Sequence, residues 1–188
     1  MNIGLVRHGQ TSWNELGRAQ GHSDIPLNDF GEKQANMIGK RLATENWELI
    51  FSSDLLRAKS TAEIIAKHTN LPHFTDQRLR ERHGGLIEGT TEKERIKKWG
   101  EQWRSLDLGV ESGDQMSERG LSFLEEIMQK HRSMNVLIVS HGAFLKQLLR
   151  TVVPRENVEQ SLANCSLTIL TTSDNKWRIQ LHNCIKHM

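Results

Sequence analysis

The chain has 188 residues, enough for one domain with a substantial core and too few for two of ordinary size. Hydrophobic residues make up 36% and charged residues 26%, which is a globular composition and excludes a disordered tail, a collagen repeat or a disulfide knot. Lys and Arg number 25 against 23 Asp and Glu, a formal net charge of +2 that lacks the concentrated positive field of a nucleic-acid binder; nine His with no Tyr is the oddity. Cys165 and Cys184 form neither a CxxC pair nor a metal-ligand spacing, so a reduced, cytoplasmic pair is expected. The opening Met-Asn-Ile-Gly-Leu-Val lacks the basic and long apolar regions of a secretory signal, and no apolar run reaches membrane-spanning length. No membrane or nucleic-acid partner is expected.

In chain order, strand-like apolar runs alternate with amphipathic helical stretches, which predicts an α/β layer architecture. Ile3–Val6 reads as a buried strand running into a loop, and Gly31–Thr44 as a helix with Ala35, Ile38 and Leu42 on one face. Leu49–Phe51 is a second short strand. Ser52-Ser53-Asp54 is expected to cap the next helix, whose buried stripe is Ala58, Ala62, Ile65 and Ala66.

From Thr90 to Leu106 the spacing predicts one further helix, opened by a Thr91–Glu94 capping box and carrying Ile96, Trp99, Trp103 and Leu106 on one side. Lys93, Arg95, Lys97, Lys98 and Arg104 on it either attract an anionic substrate beside a Trp99–Trp103 wall, or form a solvated face over a buried Trp stripe. After a Gly109–Gly113 break comes a helix with Met116, Phe123, Leu124 and Ile127 toward the core. Val136–Val139 is the clearest buried strand, followed through Ser140-His141-Gly142 by an apolar helix with Ala143, Leu145, Leu148 and Leu149. Ser166–Thr172 and Trp177–His182 are β-rich runs around Ser173-Asp174-Asn175-Lys176, a hairpin pattern. With no repeat, low-complexity tract or linker, residues 1–188 are expected to form a single domain.

Two of the predicted strands end in the same dipeptide, His8-Gly9 and His141-Gly142. Ligands of α/β proteins gather at the carboxyl ends of parallel strands, so these ends would bring both His toward one crevice. Gly permits close backbone approach, the N–H groups opening the following helix suit an anion, and Arg7 supplies a planar charged fork that matches phosphate. The alternative is a pair of ordinary histidines at strand-to-loop turns.

Arg7-His8-Gly9-Gln10-Thr11-Ser12-Trp13-Asn14 resembles the signature of the histidine phosphatase superfamily, the phosphoglycerate mutase-like proteins. The resemblance continues in order through Gly21-His22-Ser23-Asp24, Gly31-Glu32-Lys33-Gln34-Ala35, Ser52-Ser53-Asp54-Leu55-Leu56-Arg57-Ala58, Leu79-Arg80-Glu81, Gly109-Val110-Glu111-Ser112 and Val139-Ser140-His141-Gly142. It implies a three-layer αβα sandwich around a mostly parallel sheet, with a short lid or insertion around 84–113.

The resemblance further implies that His8 is a nucleophile forming a phosphohistidine, its ring fixed by a backbone carbonyl. Arg7, Arg57 and His141 match the phosphate pocket, Asn14 and the Gly142 N–H would add donors, and Gln20 and Gly21 border it. Glu81 matches the proton donor, a role suited to a carboxyl in surroundings that favour its protonated form. Glu88 is the rival acid, set second because it looks like part of a Glu-Gly turn. No metal or cofactor is implied; of the remaining histidines only His22 borders the implied pocket.

The function expected is hydrolysis of small phosphomonoesters by a monomer or homodimer. The mutases of the superfamily carry a longer, basic insertion after the Glu region, and where they place an aromatic after Glu-Arg-His this chain has Gly84. Glu81-Arg82-His83 nevertheless keeps a phosphoglycerate mutase as the alternative. A narrower α-ribazole phosphate or sugar bisphosphate phosphatase is a further reading, and a non-enzymatic phosphoester-binding module is the alternative from another class.

Overall fold

Side-chain alternation along two central strands sets the layers. In β1 (Asn2–Arg7) and β4 (Val136–Ser140), Ile3, Leu5, Val136 and Ile138 pack into one core, whereas Val6, Leu137 and Val139 pack into a second. That is the period-two pattern of a sheet covered on both faces. The computed structural model describes residues 1–173 and 176–188.

The first core is closed by α5 (Gly113–Lys130) and α6 (Gly142–Val152), which supply Met116, Phe123, Leu124, Ile127, Phe144, Leu145, Leu148 and Leu149. The second is closed by α2 (Asp29–Leu42) and α3 (Leu56–Thr69), through Ala35, Ile38, Leu42, Ala58, Ala62 and Ile65. With β2 (Leu49–Ser52), β3 (His73–Thr75), β5 (Leu167–Ser173) and β6 (Lys176–Cys184), the sheet has the order β3-β2-β4-β1-β5-β6. The first four strands in that order are parallel; β5 runs antiparallel to β1, and β6 to β5. This is the expected αβα sandwich with a mostly parallel sheet. The hairpin strands also form, while Asp174 and Asn175 of the expected turn lie outside the described residues.

Three local expectations are corrected. Ser52-Ser53-Asp54 does not cap α3: the N-cap is Leu55, and the Leu56 N–H is taken by Asp24 Oδ1 at 2.6 Å, from a loop 32 residues earlier. Asp54 instead pairs with Arg80 at 2.6 Å. The helix expected to run from Thr90 to Leu106 has the capping box on Thr91 and Glu94 but stops at Trp99, as α4 (Glu92–Trp99). Gly100 there takes a φ of 81°, which ends the helix, and a separate 3-10 turn holds Trp103–Ser105. In α6, Ala143 is exposed and Phe144 takes the buried position.

Candidate active site

The register of the two central strands positions the site. Because Arg7 lies opposite Ser140 in the β1–β4 ladder, the next residues, His8 and His141, leave the sheet side by side. Their ring centroids are 5.1 Å apart at an interplanar angle of 60°. Both residues are buried. His8 Nδ1 sits 2.7 Å from the Gly9 carbonyl, so Nδ1 carries the proton and Nε2, on the opposite edge of the ring, keeps its lone pair. Burial, reinforced by Arg57 and Arg7, holds the His8 pKa well below the usual imidazole value, and burial with Arg57 does the same to His141.

The cations are fixed by backbone carbonyls. Arg7 Nη1 donates to Leu162 O at 2.6 Å, and Arg57 donates to Ser23 O at 2.9 Å and Gly21 O at 2.8 Å. Neither guanidinium uses all its donors. Arg7 Nε, Arg57 Nε and both ring nitrogens of His141 are buried with no partner among the described residues. Burial lowers the Arg57 pKa to about 10 and lowers that of Arg7 as well. Unpartnered buried donors beside a cavity are what a site built to receive an anion presents.

The backbone around His8 is tied down from several directions. The Gly9 N–H donates to Thr61 Oγ1 at 3.0 Å, the Cys165 N–H to the Arg7 carbonyl at 2.9 Å, and Asn164 Nδ2 to the His8 carbonyl at 2.9 Å. A Cβ on Gly9 would stand 2.5 Å from the Gly31 carbonyl oxygen, so this turn needs glycine.

A cavity of about 260 Å³ brings together Arg7, His8, Asn14, Gln20, Gly21 and Glu81. Asn14, in the short α1 (Ser12–Glu15), accepts from the Thr11 N–H at 3.1 Å through Oδ1. Gln20 is held by the Thr11 hydroxyl at 2.9 Å. Gly142 opens α6 against Arg7, where a Cβ would lie 3.2 Å from Arg7 Nε. A larger cavity of about 560 Å³, lined by His22, Arg80, His83 and Arg119 among others, contains none of Arg7, His8 and Arg57.

A model of the histidine phosphatase superfamily (branch 1) matches residues 3–185. The chain belongs to this superfamily. It is 36% identical over 197 residues to a metal-independent phosphoserine phosphatase of Arabidopsis thaliana, covering 99% of this chain and 82% of that protein. It is 35% identical over 198 residues to phosphoglycerate mutase-like protein 4 of the same plant, covering 99% and 86%. Among solved structures, a mycobacterial glucosyl-3-phosphoglycerate phosphatase in complex with VO3 superposes with a TM-score of 0.89 at 26% identity, covering 98% of this chain and 99% of that one.

In this histidine phosphatase chain the two candidate carboxylates differ sharply in setting. Glu81 reaches the start of α6, accepting from the Phe144 N–H at 2.9 Å and the Ala143 N–H at 3.2 Å, and from the Arg82 N–H at 2.9 Å. It therefore lies at the polar start of α6, beside the cavity that holds His8. Glu88 takes the N–H groups of His22 at 2.8 Å, Ser23 at 3.0 Å and Gly84 at 2.9 Å, and the Ser23 hydroxyl at 2.8 Å. Burial pushes its pKa up, but the His22 and Gly84 amides and Ser23 outweigh this and leave it below the usual carboxylate value. It clamps the 21–23 loop to the 84–88 turn. His22 does not line the cavity; its Nε2 lies 2.9 Å from the Glu81 carbonyl.

Arg119 is the residue that sequence reasoning missed. From α5 it donates to the carbonyls of Arg78 at 2.6 Å, Arg80 at 2.7 Å and Glu81 at 3.2 Å, while Glu111 holds it at 2.7 and 3.0 Å. Its guanidinium also lies 4.5 Å from the Phe144 ring centroid. Arg119 thus grips the segment carrying Glu81, and no local motif marks it, because all its partners come from other elements.

Proposed function

We propose that this chain hydrolyses phosphomonoesters of small metabolites through a phosphohistidine on His8. The observation that carries the reading is the set of buried, unpartnered nitrogens on Arg7, Arg57 and His141 around a His8 ring whose Nδ1 is already tied to the Gly9 carbonyl. Phosphoryl transfer demands positioning and charge neutralisation, which these groups supply without a metal ion.

In the first step the Nε2 lone pair of His8 forms a bond to phosphorus as the P–O bond to the alcohol breaks. The departing oxygen takes a proton from the Glu81 carboxyl. In the second step water attacks phosphorus, its proton passing to the Glu81 carboxylate, and the P–N bond electrons return to Nε2, releasing inorganic phosphate. Asn14 and the Gly142 N–H would hold phosphoryl oxygens, and Gln20 and Gly21 would border them. The 84–113 segment would serve as the lid of a single domain, in a cytoplasmic monomer or homodimer. Among the described residues no helix is long and apolar enough to cross a membrane.

The Arabidopsis relative named as phosphoglycerate mutase-like keeps isomerisation as the second reading. A mutase must shield its phosphoenzyme from water, and the short 84–113 segment favours hydrolysis. Phosphate release from p-nitrophenyl phosphate or 3-phosphoglycerate, insensitive to chelators and abolished in His8→Ala, is the expected result. Undiminished turnover in that variant overturns the mechanism. Conversion of 3- to 2-phosphoglycerate without phosphate release, stimulated by the bisphosphate, makes it a mutase; phosphoester binding without turnover makes it a binding module.

A further inference from the structure

We propose that the preferred substrates carry an apolar body on the alcohol side of the phosphoester, seated against Trp103 in a pocket that continues the catalytic cavity. The proposal rests on the hydrolysis reading above and names the substrate class of that same site.

The cavity at His8 does not end at the reacting phosphorus. Its lining includes Arg82, Ile87 and Val110, and the same three residues line an adjoining cavity of about 280 Å³ whose other walls include Trp103, Leu106 and Leu108. A group attached to a phosphate beside His8 would therefore leave past Ile87 and Val110, with the Arg82 side chain beside it. Taken together, the two adjoining cavities reach the size that takes metabolite-sized ligands and not phosphate alone.

The Trp103 wall is set before any ligand arrives. The indole Nε1–H donates to Glu92 at 3.0 Å, and the Arg95 and Arg104 guanidinium groups lie 4.8 and 4.4 Å from the ring centroid. Glu92 also pairs with Arg95 at 3.4 Å and Arg104 at 2.9 Å. One carboxylate thus fixes the indole and both cations stacked on it, leaving little ordering to be done on binding. Near this wall Leu106 is 47% exposed, apolar surface that an apolar ligand would cover. Arg82, Arg104 and Asp107 also line the pocket, so its charges are mixed and the apolar side chains are what distinguish one alcohol from another there.

The test is kcat/KM for phosphate release along the n-alkyl phosphates from propyl to hexyl, whose leaving-group basicity is nearly constant, beside phosphoserine and glycerol 3-phosphate. The expected gain is about fourfold per methylene, hence about 60-fold from propyl to hexyl. That slope should flatten in Trp103→Ala, and also in Leu106→Ser, which alters an exposed position and so spares folding. A flat wild-type series, higher kcat/KM for phosphoserine and glycerol 3-phosphate than for hexyl phosphate, or a slope retained in both variants overturns this proposal while leaving hydrolysis standing. No release from any ester, p-nitrophenyl phosphate included, overturns the hydrolysis reading and this proposal with it.

Discussion

Replacing Arg57 by Met separates what that residue does for the fold from what it does for the site. Arg57 is fully buried, and burial brings its pKa down to about 10 from 12.5, against the opposing pull of Glu81. A base whose pKa is lower in the folded than in the unfolded chain weakens the fold wherever it is protonated, here by about 3 kcal/mol at neutral pH. Two hydrogen bonds to the Ser23 and Gly21 carbonyls offset this, each worth about 1.5–3 kcal/mol for a charged donor. Arg57→Met loses both sides, so the net cost is about 0–3 kcal/mol, or a Tm drop of less than about 12 °C for a chain of this size. Catalysis has no such compensation: loss of a donor to the transferring group should lower kcat/KM by about 10²–10³. Kinetics on p-nitrophenyl phosphate and thermal melts with and without inorganic phosphate measure the two effects. A kcat/KM within tenfold of wild type, together with undiminished stabilisation by phosphate, would refute Arg57 as a phosphate ligand.

Two further outcomes follow from the buried titratable groups. His8 and His141 have folded-state pKa values well below 6.5, so the unfolded chain takes up protons that the folded one refuses. Stability should be complete above pH 6.5 and fall below it, by up to about 1.4 kcal/mol per pH unit for each His. The Tm measured from pH 7.5 to 5 should decline less steeply in His141→Gln, and an unchanged slope contradicts the buried neutral imidazole. Glu81→Gln should cost about 10²–10⁴ in turnover, whereas Glu88→Gln, which weakens the clamp on His22, Ser23 and Gly84, should chiefly lower the Tm. A larger turnover loss in Glu88→Gln exchanges the two assignments.

The parts of this molecule that were legible in the sequence are those written in local pattern. Strands β1 and β4 are apolar runs ending in His-Gly, and the helix faces through Ala35, Ile38 and Leu42 and through Phe123, Leu124 and Ile127 follow helical spacing. What escaped depends on distant partners. The Leu56 N–H is capped by Asp24 and not by the adjacent Ser and Asp residues, because another loop delivers a carboxylate there. Trp103 fits the stripe of α4 by spacing, yet Gly100 breaks the helix first, so the indole belongs to a separate 3-10 turn and lines a cavity without Trp99. Glu81, by contrast, could be located by resemblance but not its setting, since the N–H groups it accepts from belong to Ala143 and Phe144.

The pairing of β1 with β4 has a consequence for how the protein comes to be active. His8 takes its place only when a strand more than 120 residues later lies alongside it and when Leu162, Asn164 and Cys165 have closed on the backbone and side chain of Arg7 and His8. Such contacts are of high sequence separation, and the entropy of closing those loops is spent before any of them forms. His8, the proposed nucleophile, though near one end of the sequence, should therefore reach its place late in folding. Turnover then reports on the integrity of almost the whole chain, and recovery of activity during refolding should lag behind recovery of helix signal.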